Sequence, residues 1–247
     1  MLVSFGPSWL SFPSLFLRYL RIPFGCPMGG NQTPEIASMD SPFDGETEFE
    51  GRTFKSLTLN EQELRSIEFY DCAFVGCSFV ETTFRDCRFR GCQFDHCDLS
   101  LAHVPNCSFS DTRFEDSRAL GIDWAKASWA KEGLLNSIHF FDCAISYSVF
   151  FGLSLREITI TRCVAKEVDF AEANLTRANC THTDFSESRF LDTNLTEADF
   201  TGATNYAIDA GRNVLAKTRF SLPEAMSLLH SLDIVLTDVD RADGLSE

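Results

Sequence analysis

Ten cysteines and five histidines are the side chains of this chain best able to hold a metal or to act as nucleophiles. A zinc site needs thiolates and imidazoles converging from close pairs such as C-x-x-C. No two cysteines have that spacing, and His96, His103, His139, His182 and His230 show no ligand pattern beside them. Cys72, Cys77, Cys87, Cys92, Cys97 and Cys107 instead fall at multiples of five residues. Free cysteine is a small, commonly buried residue, so this beat reads as packing in a reduced, cytoplasmic protein, with no metal and no cofactor. Serines, histidines and aspartates are scattered, with no G-x-S-x-G, P-loop, H-E-x-x-H or dinucleotide fingerprint. The chain is not expected to be an enzyme.

The element that positions these side chains is a five-residue repeat. From Phe49 every fifth residue is large and apolar: Phe54, Leu59, Leu64, Phe69, Phe74, Phe79, Phe84, Phe89, Phe94, Leu99, Val104, Phe109 and Phe114 follow without a miss. A second series starts at Phe140 and runs through Phe150, Phe170, Phe185 and Phe190 to Phe200. Two positions before each centre sits a smaller residue, such as Cys87, Thr112, Ala173 or Thr183, and the other positions are mostly polar. Neither the 3.6-residue helical period nor the two-residue strand period yields a strict five. The 24 phenylalanines, against 4 tyrosines and 3 tryptophans, fit one fixed slot. Hexapeptide acyltransferases would show a period of six, which is absent.

Runs such as Ala173-Asn174-Leu175-Thr176-Arg177 and Ala198-Asp199-Phe200-Thr201-Gly202 resemble the A(D/N)LXX unit of the pentapeptide repeat family over roughly residues 45–205. The resemblance implies an all-β, right-handed quadrilateral β-helix with four pentapeptides per coil. Residues twenty apart would then stack: Phe49 with Phe69, Phe89 and Phe109; Phe54 with Phe74, Phe94 and Phe114; Leu155 with Leu175 and Leu195; Cys72 with Cys92, Cys77 with Cys97, Cys87 with Cys107 and Cys143 with Cys163.

Residues 1–39 differ from the rest and read as a disordered leader outside the working protein, with Met28 or Met39 as alternative starts. Pro7, Pro13 and Pro23 interrupt their apolar stretch, so no membrane span is expected. The solenoid is placed at 40–205. Its phase shifts by one residue within 120–139, where one extra residue is expected beside Gly121 and Gly133. This break reads as a bend between two stacked segments; the alternative is a bulge that meets a partner. Trp124 and Trp129 are large for a phenylalanine slot and predict a distorted coil. Ala119-Leu120-Gly121-Ile122-Asp123 is similar to a junction in the quinolone-resistance pentapeptide proteins.

Residues 206–247 read as a cap and dimerisation module. Ser221 and Glu224 have capping-box spacing, and Leu222, Ala225, Met226, Leu229 and Leu232 fall on one α-helical face, followed by an extended segment at 233–238. The stripe, with Leu222, Met226, Leu229 and Leu232 at its centre, either covers the open end of the solenoid or pairs with a second copy. The segment resembles the C-terminal module through which gyrase-protecting relatives form two-fold dimers, which implies a homodimer.

The net charge of −15 argues against direct nucleic-acid binding. Acidic residues also recur at the coil spacing: Glu167 with Glu187, and Glu172 with Asp192. These rows are either solvated edges of a stable rod or a surface imitating the charge of DNA. Quinolone-resistance, microcin-immunity and albicidin-resistance relatives bind DNA gyrase or a related type II topoisomerase and protect it from inhibitors. The resemblance implies the same non-enzymatic role here, with the acidic rows as partner-binding residues. The alternative is a scaffold for a different protein. Residues 49–114 lack the loops that interrupt the quinolone-resistance branch, which points towards a peptide-toxin or albicidin-type inhibitor.

Overall fold

In the computed structural model each pentapeptide makes one wall of a shaft. The described residues are Phe43, 45–129, 137–232 and Ile234, all within the second of two units, Ser41–Glu247. The central residue points inward, its two neighbours point outward, and the next residue turns the corner. That corner residue takes positive φ, as in Ser56 (52°), Glu61 (59°), Ser66 (53°) and Asp71 (50°). Left-handed backbone is costly for L-residues, and the corner is held by hydrogen bonds to the following coil. The amide of Ser56 donates to Val75 O, and that of Glu61 to Val80 O, both at 2.9 Å.

About eight coils result, almost wholly of parallel β-structure. On the first face Glu48–Glu50, Glu68–Tyr70, Arg88–Arg90 and Ser108–Ser110 pair in register. The second face carries Thr53–Lys55, Ala73–Val75, Gln93–Asp95, Thr112–Glu115, Ile138–Phe141 and Thr159–Thr161. Bridges from Ser78 through Asp98, Arg118, Ala144, Val164 and Asp184 mark the third face. The fourth begins with Glu63–Arg65 beside Thr83–Arg85 and includes the bridges Asp123–Val149–Asp169–Arg189.

The expected ladders are present. Phe49, Phe69, Phe89 and Phe109 stack with centroids 5.2–5.5 Å apart and planes within 16°. Phe54, Phe74, Phe94 and Phe114 do the same at 4.7–5.1 Å. Adjacent ladders meet edge-to-face, as Phe69 meets Phe74, so both favoured aromatic geometries tile the shaft. Each fully buried phenylalanine contributes roughly 1.5–3 kcal/mol from burial.

The smaller slot has a second role, which its size alone does not reveal. Its side chain donates a hydrogen bond to the carbonyl of a central residue one coil back. Thr82 Oγ1 reaches Leu59 O at 2.7 Å, Thr183 Oγ1 reaches Ile160 O at 2.7 Å, and Cys107 Sγ reaches Phe84 O at 3.0 Å. Cysteine, serine and threonine share the slot because each is small and carries a donor. All nine described cysteines are free and buried. Burial pushes the Cys92 and Cys163 thiols up to about 12 and Cys143 up to about 11, far from nucleophilic thiolate character.

At the phase break the structure corrects the expected single-residue insertion. Phe114 pairs with Phe140, so this coil is six residues longer than the regular twenty: one repeat unit plus one residue. The second-face ladder continues unbroken through it, with the two rings stacked at 5.0 Å. Trp124 stays in the shaft, fully buried and stacked on Phe150, while the coil distorts into a 3₁₀ turn at Trp124–Lys126. Gly133 lies outside the described residues.

The C-terminal element also differs from the expected α-helix. Leu222-Pro223 is a cis peptide bond, and Glu224–Leu232 forms a 3₁₀ helix. The capping-box atoms serve the last coil instead: Ser221 Oγ accepts from the Gly202 amide at 2.9 Å, and Glu224 Oε1 from the Asn205 amide at 2.6 Å. With three residues per turn, Ala225, Leu228 and Ser231 share one row. Leu228 packs on the core and Ser231 Oγ accepts from the Ala210 amide, so this row docks on the coil. Of the segment expected at 233–238, only Ile234 lies within the described residues.

An acidic-rimmed face as the candidate functional site

The four acidic residues singled out by spacing occupy corners, and the corners are the two edges of one wall. Glu167 and Glu187 precede the fourth-face segments centred on Phe170 and Phe190, and Glu172 and Asp192 follow them. All four are exposed and left-handed, with φ of 53°, 59°, 59° and 55° respectively. The Glu167 amide donates to Ser186 O at 2.9 Å and the Glu172 amide to Leu191 O at 2.8 Å, which fixes each side chain over its neighbour one coil away. Two parallel carboxylate rows therefore border a single strip of surface.

The other two corners are built differently. On one, Arg177 sits between Glu157 at 3.3 Å and Glu197 at 2.9 Å, and Lys217 lies 3.9 Å from Glu197. On the other, Arg162 holds Asp142 through two hydrogen bonds of 2.7 and 2.6 Å, and the guanidinium keeps the Asp142 carboxyl below its usual range. The first of these columns alternates in sign, and in the second Arg162 neutralises Asp142. Among the described residues Glu167, Glu172 and Glu187 have no ion pair, and Asp192 has only Arg212 at 3.9 Å. Like charges stacked across neighbouring strands repel, so the fold tolerates on these rims what it neutralises elsewhere.

Between the rims, Asp169 pairs with Arg189 at 3.3 Å; the other positions are apolar, with Phe151 exposed, Val149 and Leu191 half-buried and Ala171 fully buried. The arrangement can attract and seat a cationic surface. It contains no nucleophile with a base beside it.

The structure also brings together a group that spacing did not flag. Ligand atoms of Asp95, His96 and Asp116 lie within 4.8 Å of one another on an exposed corner. His96 Nδ1 is 2.7 Å from Asp95 Oδ1, and that hydrogen bond raises the His96 pKa. The clue in the sequence is that His96 and Asp116 stand one coil apart.

At the C-terminus Leu222, Met226 and Leu232 are 79%, 46% and 50% exposed. Leu229 is half-buried. Among the described residues no helix is long and apolar enough to cross a membrane.

A four-walled parallel solenoid with an inward apolar residue, most often Phe, at every fifth position defines the class of protein: a pentapeptide-repeat β-helix. Family comparison agrees, with a model described as "Pentapeptide repeat region" matching residues 67–137 and one described as "Pentapeptide repeats (8 copies)" matching 155–204. Both stretches are thus similar to the pentapeptide repeat family. Among solved structures it is similar to full-length QnrB1, a plasmid-mediated fluoroquinolone resistance protein, at 20% identity over 74% of this chain and 100% of that one, with a TM-score of 0.47. It is also similar to HetL, a pentapeptide repeat protein involved in heterocyst differentiation regulation from the cyanobacterium Nostoc sp. Strain PCC 7120, at 12% identity over 70% and 89% of the two chains, with a TM-score of 0.22. A search of curated protein sequences finds no significant match.

Proposed function

We propose that this protein is a non-enzymatic DNA mimic. As a homodimer joined through its C-terminal segment, it binds DNA gyrase or a related type II topoisomerase and protects the enzyme from an inhibitor. One observation carries the reading: two rows of carboxylates edge one face with a single long ion pair among the described residues, Asp192–Arg212, while on the other corners Arg177 and Arg162 neutralise their acidic neighbours. Each row offers about one charge per ~4.8 Å coil, comparable with the ~3.4 Å phosphate spacing along one DNA strand. A cationic saddle that holds DNA would meet similar charge on a similarly narrow rod. The net charge of −15 favours fast encounter with such a surface. Exposed Leu222, Met226 and Leu232 supply apolar surface for pairing two copies end to end.

A supercoiling assay with purified gyrase, with and without a peptide-toxin or albicidin-type inhibitor, tests this reading. Micromolar protein should restore supercoiling in the presence of the inhibitor. If neither supercoiling nor inhibitor sensitivity changes, the topoisomerase assignment is wrong.

A further inference from the structure

We infer that the fourth face at the coil of Phe150, from the corner residue Tyr147 across to Phe151, is an apolar docking anchor. Its occupant is a protein segment that presents a large apolar side chain between Lys or Arg residues. The inference rests on the binding reading above and adds to it the part of the surface that confers specificity.

The first observation is a column. Successive corner amides donate to the next coil: Glu61 to Val80 O, Glu81 to Ser100 O, Leu101 to Leu120 O, Gly121 to Ser146 O, Tyr147 to Lys166 O and Glu167 to Ser186 O. The corner thus reads Glu, Glu, Leu, Gly, Tyr, Glu, Glu, an apolar stretch with carboxylates at both ends. Leu101 lies along it, since a Cβ on Gly121 would fall 2.8 Å from Leu101 Cδ2.

The second observation is conformational. Among the described non-glycine residues with positive φ, all but Leu101 and Tyr147 are Ser, Asn, His, Asp, Glu, Lys or Arg, and those two stand in this one column. Bulky side chains disfavour that backbone region, whereas Asn and Asp adopt it readily. Tyr147, with φ 65°, is therefore a poor choice for the corner itself. It is 57% exposed, and its hydroxyl has no partner among the described residues. Strain borne without a folding benefit points to a binding role.

Third, the neighbouring outward positions extend the patch. Phe151 is 42% exposed, and Val149, between it and Tyr147 on the same wall, is half-buried; Ala171 one coil on is fully buried and bounds the patch. An aromatic anchor ringed by charge is the usual anatomy of a binding hot spot, and carboxylates at the rim select a cationic partner by charge complementarity.

The probes are a synthetic peptide of alternating Arg and Trp and a control of alternating Arg and Gly, titrated into the isotopically labelled full chain with amide shifts recorded. The comparison variant is Tyr147→Asn with Phe151→Thr, residues suited to a left-handed corner and a strand, so folding should be retained. The Arg–Trp peptide should bind at least about tenfold more tightly than the control, shift the amides of 147–151, and lose that advantage in the variant. Equal affinity for both peptides, no binding of either, shifts confined elsewhere, or an unchanged advantage in the variant would each overturn the inference. So would self-association of the wild type that the variant abolishes, because the occupant would then be a second copy. A negative gyrase assay beside a positive peptide result removes the topoisomerase and leaves the anchor.

Discussion

Phe114 and Phe140 stand twenty-six positions apart in the chain, yet their rings stack at 5.0 Å with planes 18° apart, as rings twenty apart do elsewhere. Both flanking coils keep the twenty-residue spacing, at Phe94–Phe114 and Phe140–Ile160. The shaft therefore behaves as one continuous core across the break.

That continuity makes Phe140 a critical side chain. It is fully buried and also meets Trp124 and Phe150 edge-to-face. Phe140→Ala should lower stability by about 3–5 kcal/mol, read as a shift in the urea midpoint. The same truncation at Phe84 should cost a similar amount. A change below about 1 kcal/mol at Phe140 would mean that the two segments fold independently.

The smaller slot can be tested at Thr183, which is buried, accepts from the Cys163 amide at 3.1 Å and donates to Ile160 O at 2.7 Å. Thr183→Val keeps the shape but leaves two backbone groups unpaired, which should cost about 1–3 kcal/mol. Thr183→Ser should recover most of it. Equal stability of the Val and Ser variants would show that only volume matters there.

Much of this was legible in the sequence, and the limits have physical causes. A strict period of five specifies walls, ladders and stacked residues, because every coil repeats the same contacts. Periodicity modulo five cannot tell an insertion of one residue from one of six, so the length of the long coil became visible only through the Phe114–Phe140 pair. The acidic rows were legible as pairs one coil apart; their position on two edges of one wall needed the corner geometry. The C-terminal stripe was assigned with a 3.6-residue period, and the 3₁₀ turn rotates the docking row to Leu228.

His139 provides a pH signature. Its Nδ1 accepts from the Thr159 amide at 3.2 Å, and burial lowers its pKa, with the Arg113 charge acting in the same direction and Asp111 opposing. Below about pH 6.5 the unfolded chain binds a proton that the folded chain resists. Stability is therefore lost as pH falls through that value towards the lower folded pKa. His139→Gln should remove this loss, so the wild type should weaken relative to the variant between about pH 8 and about pH 5. Parallel urea midpoints across that range would refute it.

The proposed dimer predicts a mass. Sedimentation equilibrium at micromolar concentration should give twice the chain mass, and Met226→Glu with Leu232→Glu should give a monomer of unchanged secondary structure. A wild-type monomer would remove the two-fold arrangement.

The acidic rims are tested most directly by the affinity of purified gyrase for the wild type and for Glu172→Lys with Asp192→Lys, measured at increasing salt. The account predicts micromolar or tighter binding that weakens with salt and falls at least about tenfold on charge reversal, while the thermal midpoint of the rod hardly moves. No binding to the wild type, or an affinity indifferent to both salt and the two reversals, would contradict it.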